Sequence, residues 1–180
     1  MYSILKKIIT TPKTVLPRTA FSKPDADIKE VGEKLRETIY KHLGGSLTIR
    51  EVAAGSSNAE ECELTALGNA YYDVERFGIK FTASPRHADA LFVSGPVARN
   101  MAEPLRHAYE AMPEPRLVVA IGDGAIDGGI FKGSYAIAGG VKDVVPVDYE
   151  IPGDPPSPTA VIAAMLALAE VLGKKRTQRS

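Results

Sequence analysis

Apolar positions along this chain fall into two rhythms. The helical one comes first: Ile28, Val31, Leu35, Ile39 and Leu43 mark one face of a helix that Asp25 or Asp27 should cap and Gly44-Gly45 should end. Ser46 to Ala53 then reads as a strand, with Leu47, Ile49 and Val52 as its main apolar residues. A helix from about Asn58 to Gly68 and a short strand from Ile79 to Thr82 follow. The unbroken runs Ala90-Leu91-Phe92-Val93 and Leu117-Val118-Val119-Ala120-Ile121 are what strands show when both sheet faces are covered. Between them, a helix starting at Pro96 carries Met101, Leu105, Ala108 and Met112 and stops at Pro113. A glycine-rich excursion from Gly122 to Gly140, a last strand over Val144 to Val147 and a last helix over Pro158 to Leu172 complete the pattern. Strand and helix alternate throughout, which predicts an α/β, doubly wound, flavodoxin-like parallel sheet with helices on both faces. The expected domain is 25–173, between an N-terminal arm and linker at 1–24 and a frayed basic tail at 174–180.

The arm has its own rhythm. Met1, Ile4, Leu5, Ile8 and Ile9 recur at helical spacing with Lys6 and Lys7 on another side, and Pro12 stops the pattern. Such a short basic amphipathic segment either docks on protein, its own domain or a neighbour, or rests on anionic lipid headgroups. No signal peptide is expected, because the two lysines lie inside the apolar stretch rather than before it. The longest apolar run, Ala160 to Leu172, is interrupted by Glu170 and falls short of the roughly 18–20 residues that span a bilayer.

Composition narrows the function classes. Lys plus Arg and Asp plus Glu stand at 22 each, so net charge points to neither nucleic acid nor an acidic partner. With 7% aromatics and no Trp, no basic-and-aromatic surface for RNA or DNA is expected. The single cysteine, Cys62, excludes an intrachain disulfide and any all-cysteine metal site made by this chain alone. It reads as a buried core thiol. His87 and His107 lack metal-ligand spacing, and no serine–histidine or cysteine–histidine arrangement suggests a nucleophile.

Three loops hold the unusual chemistry: Gly55-Ser56-Ser57-Asn58-Ala59-Glu60-Glu61-Cys62-Glu63, Gly122-Asp123-Gly124-Ala125-Ile126-Asp127-Gly128-Gly129 and Pro152-Gly153-Asp154-Pro155-Pro156. Each follows an expected strand, so all three should gather at the carboxyl edge of the sheet. Together with Tyr72-Asp73-Val74-Glu75-Arg76-Phe77-Gly78-Ile79 and Ser94-Gly95-Pro96-Val97, they resemble the small subunit of membrane-bound energy-converting NiFe hydrogenases. That subunit is homologous to the 20 kDa subunit of respiratory complex I, and the resemblance runs from about Leu47 to Leu172. In the family these loops read Cys-Asn-Gly-Cys-x-x-Glu, Gly-x-Cys-Ala and Pro-Gly-Cys-Pro-Pro, and the four cysteines hold a 4Fe–4S cluster. The matching positions here are Ser57, Glu60, Gly124 and Asp154. Cubane clusters are held by cysteine thiolates, so the resemblance implies a framework whose cofactor is lost, and no cofactor is expected.

Other readings attach to single residues. Ser57, Glu60 and Asp154 offer oxygen to a hard cation, although solvating a vacated pocket is the favoured role and no metal is expected. Glu63 matches the family glutamate implicated in proton movement; it is equally a helix-start carboxylate in a favourable dipole, with Glu60 and Glu61 alongside. Gly122-x-Gly124-x-x-Asp127 mimics a dinucleotide fingerprint but lacks the third glycine and an acidic ribose partner. Arg76, Arg86, His87 and Arg99 match polar positions of the family's subunit interface. The resemblance implies a structural or coupling subunit, not catalytic alone, peripheral on the cytoplasmic face of the membrane. Its implied partners are a hydrogenase large subunit or complex I 49 kDa-like subunit, with antiporter-like and quinone-module-like membrane subunits nearby. Two alternatives stand beside it: an electron-transfer subunit that still carries a 4Fe–4S cluster, and a stand-alone flavodoxin-like domain that binds a small ligand.

Overall fold

The computed structural model describes the backbone of residues 24–177 and the side chains of residues 28–172. In chain order the elements are α1 (Pro24–Leu43), β1 (Leu47–Ala53), α2 (Ala59–Ala66), β2 (Ile79–Phe81), β3 (Ala90–Ser94) and β4 (Val97–Ala98). There follow α3 (Arg99–Ala111), β5 (Leu117–Ile121), α4 (Asp123–Asp127), β6 (Ile137–Gly139), β7 (Tyr149–Ile151) and α5 (Pro158–Thr177). Five strands pair in parallel in the order β2-β1-β3-β5-β7, the flavodoxin-like order with its reversal point between β1 and β3. Strands β4 and β6 form a separate antiparallel ribbon beyond β3.

Side chains of one strand point alternately to the two faces, and the apolar core divides accordingly. Ala90, Phe92, Leu117, Val119 and Ile121 join Leu35 and Ile39 of α1 and Val161, Met165 and Leu168 of α5 on one face. Leu91, Val93, Val118 and Ala120 join Leu105 of α3 and Ala125 of α4 on the other. Both faces are therefore dry, which is why β3 and β5 carry no polar alternation.

Several boundaries differ from expectation. Helix α1 begins at Pro24, so Asp25 and Asp27 lie inside its first turn rather than capping it; proline suits that place because its missing N–H would be unpaired anyway. Pro96 does not start a helix. Val97 and Ala98 pair with Gly139 and Ile137 first, and α3 begins only at Arg99. The last strand is not Val144 to Val147 but Tyr149–Ile151. Val141–Asp143 forms a 3-10 turn, Val145 buries in the second core, and Asp148 ties the chain to β5 by accepting from the Val118 N–H at 2.9 Å. Helix α5 runs through Gly173 to Thr177, so the start of the expected frayed tail is helical. The N-terminal arm and residues 178–180 lie outside the described residues. Among the described residues no helix is long and apolar enough to cross a membrane.

Candidate functional site

Parallel strands deliver their following loops to one edge, and here backbone hydrogen bonds fix those loops in two pairs. The Ala54 N–H donates to the Ser94 carbonyl at 3.0 Å, and the Ala98 N–H donates to the Ala54 carbonyl at 2.8 Å, joining the ends of β1 and β3. The Gly122 N–H donates to Ile151 O, the Asp123 N–H to Gly153 O and the Gly153 N–H to Asp123 Oδ1, each at 2.9 Å, joining β5 to β7. The three expected loops do meet.

Two neighbouring glutamates at the start of α2 bridge the two pairs. Glu61 Oε1 accepts hydrogen bonds from the hydroxyls of Ser56, in the first loop, and Ser94, the buried end of β3. Glu60 reaches across to β5. A Cβ built on Gly122 would sit 2.6 Å from Glu60 Oε1 and 3.1 Å from its Cγ, so the carboxylate arm lies flat on the glycine backbone. Gly122 also has φ +86°, in the region that glycine enters without penalty. Glu60 is only 5% exposed. The second oxygens of both glutamates, Glu60 Oε2 and Glu61 Oε2, are buried and have no hydrogen-bond partner among the described residues.

Electrostatics follow from that geometry. Burial, the strongest influence, pushes the Glu60 carboxyl above the usual carboxylate range; a backbone N–H opposes it, and the charges of Glu61 and Asp154 reinforce it. Glu51, on the α2 side of β1, is raised by burial first and Glu61 second, with Arg50 opposing. Glu51 borders an open cleft of about 430 Å³ with Arg50, Leu64, Thr65 and Phe81.

The residues singled out from sequence fare differently. Of Ser57, Glu60, Gly124 and Asp154, only Glu60 is buried; Ser57 and Asp154 are exposed and Gly124 is half-buried. A Cβ on Gly124 would lie 2.9 Å from Pro96 Cδ and 3.2 Å from Pro96 N. Glu63 is half-buried on α2. Cys62 is not the expected core thiol: it is exposed, and Asn58 Nδ2 donates to its sulfur at 3.5 Å. The reason is helical geometry, since the face of α2 that buries Glu60 and Leu64 leaves position 62 outward. Arg76 lies in the turn before β2, stacked 4.6 Å over the Phe77 ring, while Arg86 and His87 lie in the turn before β3. Those three are at the amino edge of the sheet, away from the loops. Arg99 begins α3 beside the ribbon, on the loop side. Asp127, the odd member of the dinucleotide-like spacing, accepts from the Gly129 N–H at 2.9 Å and pairs with Lys132 at 3.2 Å.

Sequence reasoning passed over Glu61 and Ser94 as participants. A signal for Ser94 existed: it is the polar end of an apolar strand at the carboxyl edge. Glu61 had none, because which strand end each of two adjacent glutamates reaches depends on helix phase.

A 4Fe–4S cluster asks for a different donor set. A hydroxyl, two carboxylates and a glycine supply no sulfur, and the one cysteine faces away. These residues do not fit the cluster. Among the described residues no grouping of three or more His, Cys, Asp or Glu side chains is placed to hold a metal ion.

Comparison with known proteins gives the fold a context. The family described as NADH ubiquinone oxidoreductase, 20 Kd subunit, matches residues 58–168. A subunit of the NADH-quinone oxidoreductase of Desulfovibrio desulfuricans is 47% identical over 118 residues, 66% of this chain and 64% of that protein. The chain thus spans less than two thirds of that relative's length. An uncharacterized protein of Methanocaldococcus jannaschii is 44% identical over 124 residues, 69% of this chain and 83% of that one. Among solved structures, a chain of the membrane-bound sulfane sulfur reductase, an archaeal respiratory membrane complex, superposes with a TM-score of 0.65 at 31% identity. That match covers 78% of this chain and 76% of the other. The recombinant [NiFeSe] hydrogenase of Desulfovibrio vulgaris Hildenborough shares the fold, with a TM-score of 0.54 at 16% identity over 76% of this chain and 65% of that one.

Proposed function

The chain belongs to the family of the NADH ubiquinone oxidoreductase 20 Kd subunit, and from that premise we propose that it is a cluster-less member, a structural or coupling subunit of a hydrogenase-like or complex I-like membrane assembly. The observation that carries this reading is the donor set: Ser57, Glu60, Gly124 and Asp154 stand where the family's motif places cysteines, and the only cysteine, Cys62, faces outward. Thiolates bind iron–sulfur cores because sulfur shares charge with iron; hydroxyl and carboxylate oxygens do not replace all of them. A redox relay through this position is therefore closed.

What remains is shape and charge. The loop edge, with Arg99 beside it, offers a docking face to a homologue of the hydrogenase large subunit or the 49 kDa subunit. Antiporter-like and quinone-module-like subunits would complete the assembly. The chain would sit as a peripheral component on the cytoplasmic side, transmitting conformational change rather than electrons. Glu63, half-buried on α2 close to Glu60 and Glu61, is the residue assigned to any proton movement that survives.

The test is iron and acid-labile sulfide analysis of the complex purified anaerobically through a tag on this chain. The reading expects no iron or sulfide assignable to this subunit. Cubane stoichiometry retained by the isolated subunit would overturn it and restore the electron-transfer alternative.

A further inference from the structure

We infer that the former cluster cavity has been filled by the chain itself, with Glu60 and Glu61 replacing the metal as the tie between strand ends, so that restoring the cysteines alone will not restore the cluster. This inference rests on the cluster-less reading and goes beyond it: missing ligands and a missing cavity are separate losses.

Three contacts support the closure. Glu60 projects inward from the position of the second family cysteine, is buried, and lies on the backbone of Gly122. Gly124, at the position of the third cysteine, is packed so closely on Pro96 that even a Cβ meets ring and backbone atoms at 2.9 and 3.2 Å. Its φ does not lie in the left-handed region, so the obstacle there is space rather than backbone strain. Glu61 binds Ser56 and Ser94 together, drawing the first loop onto the end of β3. Ser57 and Asp154, at the other two positions, face solvent. An inorganic cross-link among three loops is thus replaced by the Glu61 hydrogen bonds between the ends of β1 and β3 and by Glu60 packed on the start of the loop after β5. A proline ring and backbone cannot give way as a flexible side-chain tip does, so a side chain at position 124 has to move the loop.

The experiment compares two variants of the full chain. The first, S57C/E60C/G124C/D154C, removes Glu60 but leaves Glu61 on Ser56 and Ser94 and position 124 against Pro96; it is incubated anaerobically with ferrous iron and sulfide and assayed for bound iron and for visible absorption. The expected result is a folded protein that binds iron at no more than the wild-type level. Stoichiometric cubane uptake overturns the inference while leaving the cluster-less reading of the wild type intact. The second variant, Gly124→Ala, carries no metal question. It should lower the thermal midpoint by about 5 °C, the scale of one over-packed methyl in a domain of this size. Should the first variant fail to fold, the second decides: a lowered midpoint sustains the closure, and an unchanged one, meaning that position 124 still has room, contradicts it. Cluster found in the wild-type chain, by contrast, would defeat the cluster-less reading beneath both.

Discussion

A buried carboxylate oxygen with no partner is costly, and among the described residues two such oxygens stand side by side in sequence, Glu60 Oε2 and Glu61 Oε2. The consequence at the residue scale is a pH dependence whose sign is fixed by geometry. Glu60 holds its proton more tightly folded than unfolded, because burial, Glu61 and Asp154 all disfavour the charge. Its contribution to stability is therefore complete below the ordinary value of 4.5 and is lost as pH rises through the raised folded value. Glu51 acts in the same sense. Glu60→Gln removes the charge while keeping the shape. Urea unfolding should find this variant more stable than wild type near about pH 8, with the difference shrinking toward about pH 4.5. A gap that stays constant with pH would show that Glu60 does not titrate in the folded protein. Sequence could name Glu60 but not its burial, since Ser57 and Asp154, polar residues of the same apparent standing, face solvent.

Elements explain why the architecture was legible and some of its edges were not. The runs at β3 and β5 announced themselves because strands covered on both faces need no polar positions. Those short on internal signal were misplaced. Val144 to Val147 looks like a strand by side-chain type, yet Val145 packs into the core from a loop and pairing passes to Tyr149–Ile151. Val97–Ala98 joins a partner some forty residues on, a pairing no local pattern encodes. Propensity is a weak guide wherever tertiary contacts choose the register. Helix α1 is the opposite case, its apolar stripe plain in the sequence and packed with α5 in the core. Leu168→Ala, at a fully buried α5 position in contact with that core, should cost about 2–5 kcal/mol in chemical denaturation. A loss well below that would mean that the α1–α5 layer is looser than its burial indicates.

For the whole molecule, the proposed reading is of a shared frame that has outlived the chemistry its family motif was built for. The 47% identity to an NADH-quinone oxidoreductase subunit extends over 118 residues, and the fit to a chain of a respiratory membrane complex covers 78% of this chain. On that reading the departures are the four loop positions Ser57, Glu60, Gly124 and Asp154, with Glu61 beside them. The meeting of the three loops was readable from sequence, because loops after parallel strands must converge. How the loops close on one another was not readable, since it turns on Glu60 lying against Gly122 and on Pro96 meeting Gly124. On the proposed reading such a frame positions partner subunits; large exposed side chains such as Ile130 and Tyr135, each 89% exposed, stand on the excursion beside the loops.

The most direct measurement is chemical reconstitution of the wild-type full chain with iron and sulfide under anaerobic conditions, read by visible absorption and by low-temperature paramagnetic resonance after reduction. The account predicts a colourless protein, without the broad charge-transfer band and without a reduced-cluster signal. A brown protein with cubane stoichiometry and that signal would contradict it.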